Sequence, residues 1–146
     1  MSDNRVLFTE EAIIGAVKRL LTGRVNELLG ELQFNIPLIE FGIFRGDNVI
    51  APSIQLTSCE QTDKERIIKL NTYSLTITIP VLEDIESEIL CFAYANSIKK
   101  ALGEDTTLGG IANRTVMAGK KYVPPKKPDC GMEWELIIYL RVTIEE

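Results

Sequence analysis

The first part of the chain carries apolar residues three and four positions apart, which is the spacing of one helix face. This set is Ile13, Val17, Leu20, Leu21, Val25, Leu28, Leu29 and Leu32. Thr9 can cap the helix, and Glu10 and Glu11 suit the positive end of its dipole. Thr22 and Gly23 predict a stop or a bend. We therefore expect a first helix whose apolar stripe forms a core face.

Three later segments alternate apolar and polar residues, as strands with one buried face do. They are centred on Ile54, on residues 73–79 and on residues 134–144. A fourth strand, of mixed polarity, is predicted over residues 113–123. Pro80 should end the second strand, because proline cannot donate a ladder hydrogen bond.

The segments between these elements read as connections. Residues 38–44, between Pro37 and Pro52, predict one short edge strand. Residues 59–66 are polar and predict a loop. The triplet Arg45-Gly46-Asp47 matches an adhesion tripeptide, but a turn explains it better.

Acidic residues open a second helix, which should stop at Gly103 after Lys99 and Lys100 in its last turn. The acids are Glu83, Asp84, Glu86 and Glu88. Carboxylates gather at helix N-termini because the dipole favours them, and these four lack the spacing of a calcium loop. We expect no metal site here.

The apolar stripe of this second helix is wider than one narrow face, because Cys91, Tyr94 and Ala95 add to it. Either the helix is deeply buried, or part of it meets another subunit. The order of helix, strands, helix and strands predicts an α+β fold with two main helices packed on one face of a sheet. The sheet is expected to be antiparallel, with a mixed one left open. Residues 1–146 should form a single domain, since no linker divides them.

Composition narrows the chemistry. The chain has no histidine, and its cysteines are Cys59, Cys91 and Cys130. The usual general base of hydrolases and the commonest metal ligand are therefore missing. No cofactor motif is present, so we expect neither an enzyme nor a bound cofactor. The acidic net charge of −5 disfavours a global grip on nucleic acid.

One local basic cluster stands out in this acidic chain. Lysines surround two prolines and a tyrosine in a predicted hairpin, at Lys120, Lys121, Tyr122, Lys126 and Lys127. The cluster is either a solvated hairpin tip or an arm that contacts an acidic partner or a nucleic-acid backbone. These residues are too few for specific recognition of bases.

The chain from Leu75 onward resembles the tail terminator, or tail completion, proteins of long-tailed bacteriophages and prophages. The resemblance lies in the strand SLTITIPV, the acid-capped helix, the segment DTTLGGIAN with Leu108, Gly109 and Gly110, and a final strand ending in TIEE. The resemblance implies a homo-oligomeric ring, usually a hexamer, that caps the tail tube and stops its growth. It also implies contacts with the tail-tube protein and with the head–tail connector.

The same resemblance implies a virion protein that is assembled in the bacterial cytoplasm. DNA would pass through such a ring without sequence-specific binding, and neither a membrane nor a cofactor is involved. The lysine cluster and the Leu-Gly-Gly segment become candidate contact sites. Two alternatives stay open: another neck, head–tail joining or tail-tube-like subunit, and a small cytosolic ligand-binding domain or enzyme, which would need a pocket with converging polar groups.

Overall fold

A computed structural model gives the fold of the chain. It describes residues 8–32, 36–41, 51–63, 69–82, 87–124 and 133–145. These residues form one four-stranded antiparallel sheet with helices packed on it, which confirms the predicted α+β class.

The first helix, α1, spans Thr9–Leu20. Its first helical hydrogen bond runs from the Ala12 amide to the Phe8 carbonyl, at 3.1 Å. Phe8 therefore holds the N-cap position and makes no side-chain cap bond there. The prediction that Thr9 caps the helix was wrong, because its backbone is already helical.

The predicted break near Thr22 and Gly23 is a π-helical turn, Leu21–Val25, which leads straight into α2, Asn26–Gly30. The Thr22 hydroxyl donates to the Lys18 carbonyl at 2.9 Å. This side-chain bond competes for a carbonyl that otherwise accepts only a backbone hydrogen bond of the helix. A wider turn absorbs this disturbance without ending the helix. The location of the irregularity is confirmed, and its form is a bulge.

The segment after α2 is irregular where it is described. Residues 36–41 contain no strand, so the predicted edge strand was wrong over 38–41, and its remainder lies outside the described residues. Two side chains satisfy this segment's backbone instead. Asn26 accepts from the Ile39 amide at 2.7 Å and donates to its carbonyl at 3.0 Å, and the Tyr94 hydroxyl donates to the Pro37 carbonyl at 2.7 Å. The Arg45-Gly46-Asp47 turn also lies outside the described residues.

The sheet contains β1 (Ser53–Asp63), β2 (Lys69–Leu82), β3 (Arg114–Val123) and β4 (Glu133–Glu145), in the spatial order β1-β2-β4-β3. All three pairings are antiparallel. The order places β2 and β4 at the centre and leaves β1 and β3 as the two edges.

Two strands are longer than local sequence signals indicate. β1 runs through residues 59–63, where a loop is expected from polarity, because pairing with β2 continues to Asp63. β2 continues past Pro80 to Leu82. β1 pairing ends opposite Thr78, so Pro80 pairs only with Glu135 of β4 and one side of its backbone needs no ladder bond.

The core lies between the helices and one face of the sheet. Alternate residues of the central strands are buried there: Tyr73, Leu75, Ile77, Ile79 and Val81 in β2, and Leu136, Ile138, Leu140, Val142 and Ile144 in β4. The long helix α3, Ser87–Glu104, packs against β2, β3 and β4. It includes Gly103, which was predicted to stop it, and ends at Glu104, so Lys99 and Lys100 lie before its last turn.

Candidate interaction surfaces

A groove of about 410 Å³ opens between α2 and α3. Its most prominent side chains are Leu32, Ile89 and Phe92, which are 38%, 43% and 46% exposed. Glu31 and Lys100 also line it. Leu32 was predicted on the core face of the first helix, and its burial in the single chain is wrong. For the second helix, burial and contact with another subunit were both left open, and Ile89 and Phe92 are not buried in the single chain. Neighbouring exposed apolar side chains of this kind mark protein-binding surfaces.

The groove borders the edge strand β3 through one aromatic contact. The Phe92 ring meets the Tyr122 ring edge-on, with centroids 5.2 Å apart and planes at 87°. The Lys120 ammonium lies 5.9 Å from the Tyr122 centroid. Tyr122 therefore joins the helical layer to β3 and is not part of a loop tip.

The structure divides the predicted lysine cluster. Lys120 and Lys121 both lie within β3, opposite Ile138 and Ile137 of β4. Successive strand residues point to opposite faces, so Lys120 is on the helix-covered face and Lys121 on the other. Lys126 and Lys127 lie outside the described residues. A single basic face is thus not formed by the two described lysines.

The Leu108-Gly109-Gly110 segment is a tight turn in which all three residues have positive φ, at 53°, 74° and 95°. Leu108 is buried and packs into the hydrophobic core, whereas both glycines are exposed. The Asp105 carboxylate holds the turn by accepting from the Thr107 hydroxyl at 2.7 Å and amide at 3.0 Å, and from the Gly109 amide at 2.9 Å. The Thr107 hydroxyl bond leads the lowering of the pKa of Asp105.

The two predicted contact sites lie at opposite ends of β3. The turn precedes Arg114, and Lys120 comes six residues later, which is about 20 Å along a strand. The structure therefore does not bring the glycine turn and the lysines together.

A charged cluster joins the π-helical turn to the end of α3. Arg24 donates to both carboxylate oxygens of Glu104, at 2.7 and 3.0 Å, and to Glu27 at 3.3 Å. These bonds, led by that to Glu104, raise the pKa of Arg24 and lower that of Glu104. The groups are exposed, and the bidentate pair links the π-helical turn to the C-terminal end of α3.

The buried thiol of Cys91 and the grouping of possible metal ligands bear on the chemistry open to the described residues. Cys91 is fully buried, and desolvation, with a smaller effect of Glu88, raises the pKa of its thiol to about 11. Such a thiol is a poor nucleophile. Within these residues no three His, Cys, Asp or Glu side chains are grouped to hold a metal ion. The acids at 83, 84 and 86 lie outside the described chain, and Cys59 is exposed in β1.

The described helices are too short or too polar to cross a membrane.

The sequence alone did not predict the groove, although it contains one signal for it. The apolar stripe on α3 is wider than one helix face, and this width had suggested that part of the helix meets another subunit. Periodicity identifies apolar positions but not which of them the rest of the chain covers. Phe92 and Cys91 are adjacent in sequence, and only Cys91 is buried.

No protein-family model matches this chain, and no curated protein is similar to it at a significant level.

Proposed function

We propose that the protein is a structural subunit of a bacteriophage or prophage tail, a tail terminator that assembles into a ring of about six copies. The ring caps the tail tube, stops its polymerisation and joins it to the head–tail connector. The order of elements from Leu75 to the final strand, on which the resemblance rests, supports this proposal.

The exposed apolar groove between α2 and α3 is the observation that carries the proposal. A ring built from identical subunits needs two different contact surfaces on each copy. We therefore expect such a subunit to expose more apolar surface than a protein that functions as a monomer. Leu32, Ile89 and Phe92 provide such surface on the helical layer. We assign the groove to the contact with a neighbouring copy.

The charge balance supports a role around DNA without a grip on it. The net charge is −5, and a channel through which a genome passes must not bind phosphate strongly. Lys120 and Lys121 lie on opposite faces of β3, which fits contacts between proteins better than a continuous phosphate-binding strip.

Light scattering coupled to size-exclusion chromatography tests the proposal, first with the chain alone and then with purified tail-tube protein. We expect a closed oligomer near six copies, either alone or once the tube is present. The variant Phe92→Ser should weaken this assembly, because it removes an exposed ring from the groove. Leu38→Ser is the matched control, since Leu38 is 52% exposed but does not line the groove.

Two results would contradict the proposal. A chain that stays monomeric at tens of micromolar, with and without tube protein, is not a ring-forming terminator. A chain that grows into long tubes is a tube-like subunit, because a terminator stops at one ring.

A further inference from the structure

The two edges of the sheet match each other in length and are both open. β1 has 11 residues and β3 has 10, and within the described chain neither pairs with a strand on its outer side. An open edge presents a row of unpaired backbone donors and acceptors to any strand that fits it. Among the described residues, nothing occupies the outer side of either edge, and we take both edges as surfaces for a second copy.

The rungs of the sheet align the two edges. Arg114 of β3 connects through Thr143 and Thr72 to Glu60 of β1. At the other end, Lys121 lies on the same rung as Ser53. The two edges thus share the levels from the Arg114–Glu60 rung to the Lys121–Ser53 rung, beyond which β1 continues through residues 61–63 and β3 through residues 122–123. A neighbouring β1 could follow β3 over these shared levels without a stagger.

Both edges are also irregular at the same level. The register of β3 shifts between Met117 and Gly119, and that of β1 shifts between Leu56 and Ser58. Met117 and Leu56 lie on one rung, joined by Leu140 and Leu75 of the central strands. A bulge bends its strand, so the two edges bend at the same height.

The edges carry opposite charges. β3 contains three basic residues and no acid, whereas β1 contains two acidic residues and no base. Arg114 and Glu60 share a rung and both lie, exposed, on the face away from the helices. Pairing β3 with a second β3 would oppose like charges, which is unfavourable across strands. Pairing it with β1 opposes Arg114 to Glu60.

We propose that copies of this chain join head to tail by strand addition, with β3 of one copy pairing with β1 of the next. Strand direction alternates across the four strands, so β1 and β3 of one copy run antiparallel. A second copy placed in the same orientation beside β3 therefore extends the antiparallel sheet. Each joint uses two different edges, and closure of the ring leaves no edge exposed.

This joint also accounts for the position of the apolar groove. Phe92 contacts Tyr122 of β3, and α1 packs beside β1. A copy seated on β3 brings its own α1 towards α3 and the groove. The inference rests on the ring proposed above and identifies β1 and β3 as the surfaces through which neighbouring copies join.

A disulfide test addresses the joint directly. Glu60→Cys and Arg114→Cys are combined in a chain from which the exposed Cys59 and also Cys130 are removed by Cys59→Ser and Cys130→Ser, while Cys91 is buried. Facing residues of an antiparallel pair have Cα atoms about 4.5–5.5 Å apart, within disulfide range. Under a mild oxidant we expect a ladder of covalent multimers on non-reducing gels. Each single-cysteine chain should run as a monomer on these gels, because its partner position lacks a thiol and no covalent link can form.

Charge exchange gives an independent measurement without new thiols. Glu60→Arg and Arg114→Glu should each weaken association by about three- to tenfold. The double exchange should restore it, since the pair is only inverted. A merely structural role for either residue predicts additive losses and no restoration.

The outcomes separate this joint from the proposed function. If the unmodified chain assembles but the double-cysteine chain forms no ladder, the strand joint is wrong and the ring proposal stands. Dimers formed by Arg114→Cys alone, or by Glu60→Cys alone, indicate a two-fold contact between like edges and also overturn it. If the unmodified chain never assembles, even with tube protein, both proposals fail together.

Discussion

The two sides of α3 differ in a way that separates folding from assembly. Towards the sheet, Cys91, Ala95 and Ile98 are at most 1% exposed. Towards the α2 groove, Ile89 and Phe92 are nearly half exposed. Both sides are apolar, yet only the first is explained by the single chain.

This difference shows which apolar residues of α3 indicate a contact with another molecule. Burial of an aliphatic side chain contributes about 1.5–3 kcal/mol to folding, and the side facing the sheet gains this within one copy. The apolar side chains that face the groove do not gain this burial free energy from the described chain. We infer that its apolar character serves a contact between molecules, and the substitutions below test that division.

The largest effect is expected from Ile98→Ala, compared with Ile89→Ala on the same helix. Ile98 is fully buried, so its truncation should lower the free energy of unfolding by about 3 kcal/mol through lost burial and a cavity. Ile89 is 43% exposed, and its truncation should cost less than about 1 kcal/mol while weakening assembly. Urea denaturation of both variants measures the contrast. Equal losses of stability would abolish the distinction between the two sides.

The buried side of this comparison was largely predictable. Alternation over 73–79 and 134–144 predicted two strands and their buried face, because a period of two directly encodes which residues share a face. The irregularity at Gly23 was also predictable in position. The α+β class follows from these elements, since each apolar face needs another to cover it.

Predictions failed where tertiary pairing overrides local signals. Residues 59–63 are polar, yet they form a strand because β2 supplies a ladder to them. Pro80 continues a strand because β1 has already ended. The split of the lysines across two faces of β3 likewise depends on register, which composition does not reveal.

The second prediction concerns a buried hydroxyl on the face of the sheet that packs against the helices. Thr115 of β3 is 2% exposed, and its hydroxyl has no hydrogen-bond partner among the described residues. Thr115→Val keeps the shape and removes the unsatisfied oxygen, so it should stabilise the fold by about 1 kcal/mol. Thermal and urea unfolding measure this gain, with Thr143→Val on the opposite face as the control. A loss of stability would mean that the hydroxyl does have a partner.

The smallest effect is expected in the turn after α3, where the Asp105 carboxylate accepts hydrogen bonds that hold the buried Leu108 in place. Its bonds from Thr107 and Gly109 lower the pKa of the folded carboxyl below its unfolded value of about 3.9. The resulting stabilisation is complete above that unfolded value and is lost as the pH falls through the folded pKa. Asp105→Asn should therefore reduce stability at neutral pH and flatten its decline below about pH 4. Urea midpoints between pH 2 and 7 measure both effects. Identical acid profiles for the variant and the unmodified chain would show that the Asp105 bonds do not stabilise the turn.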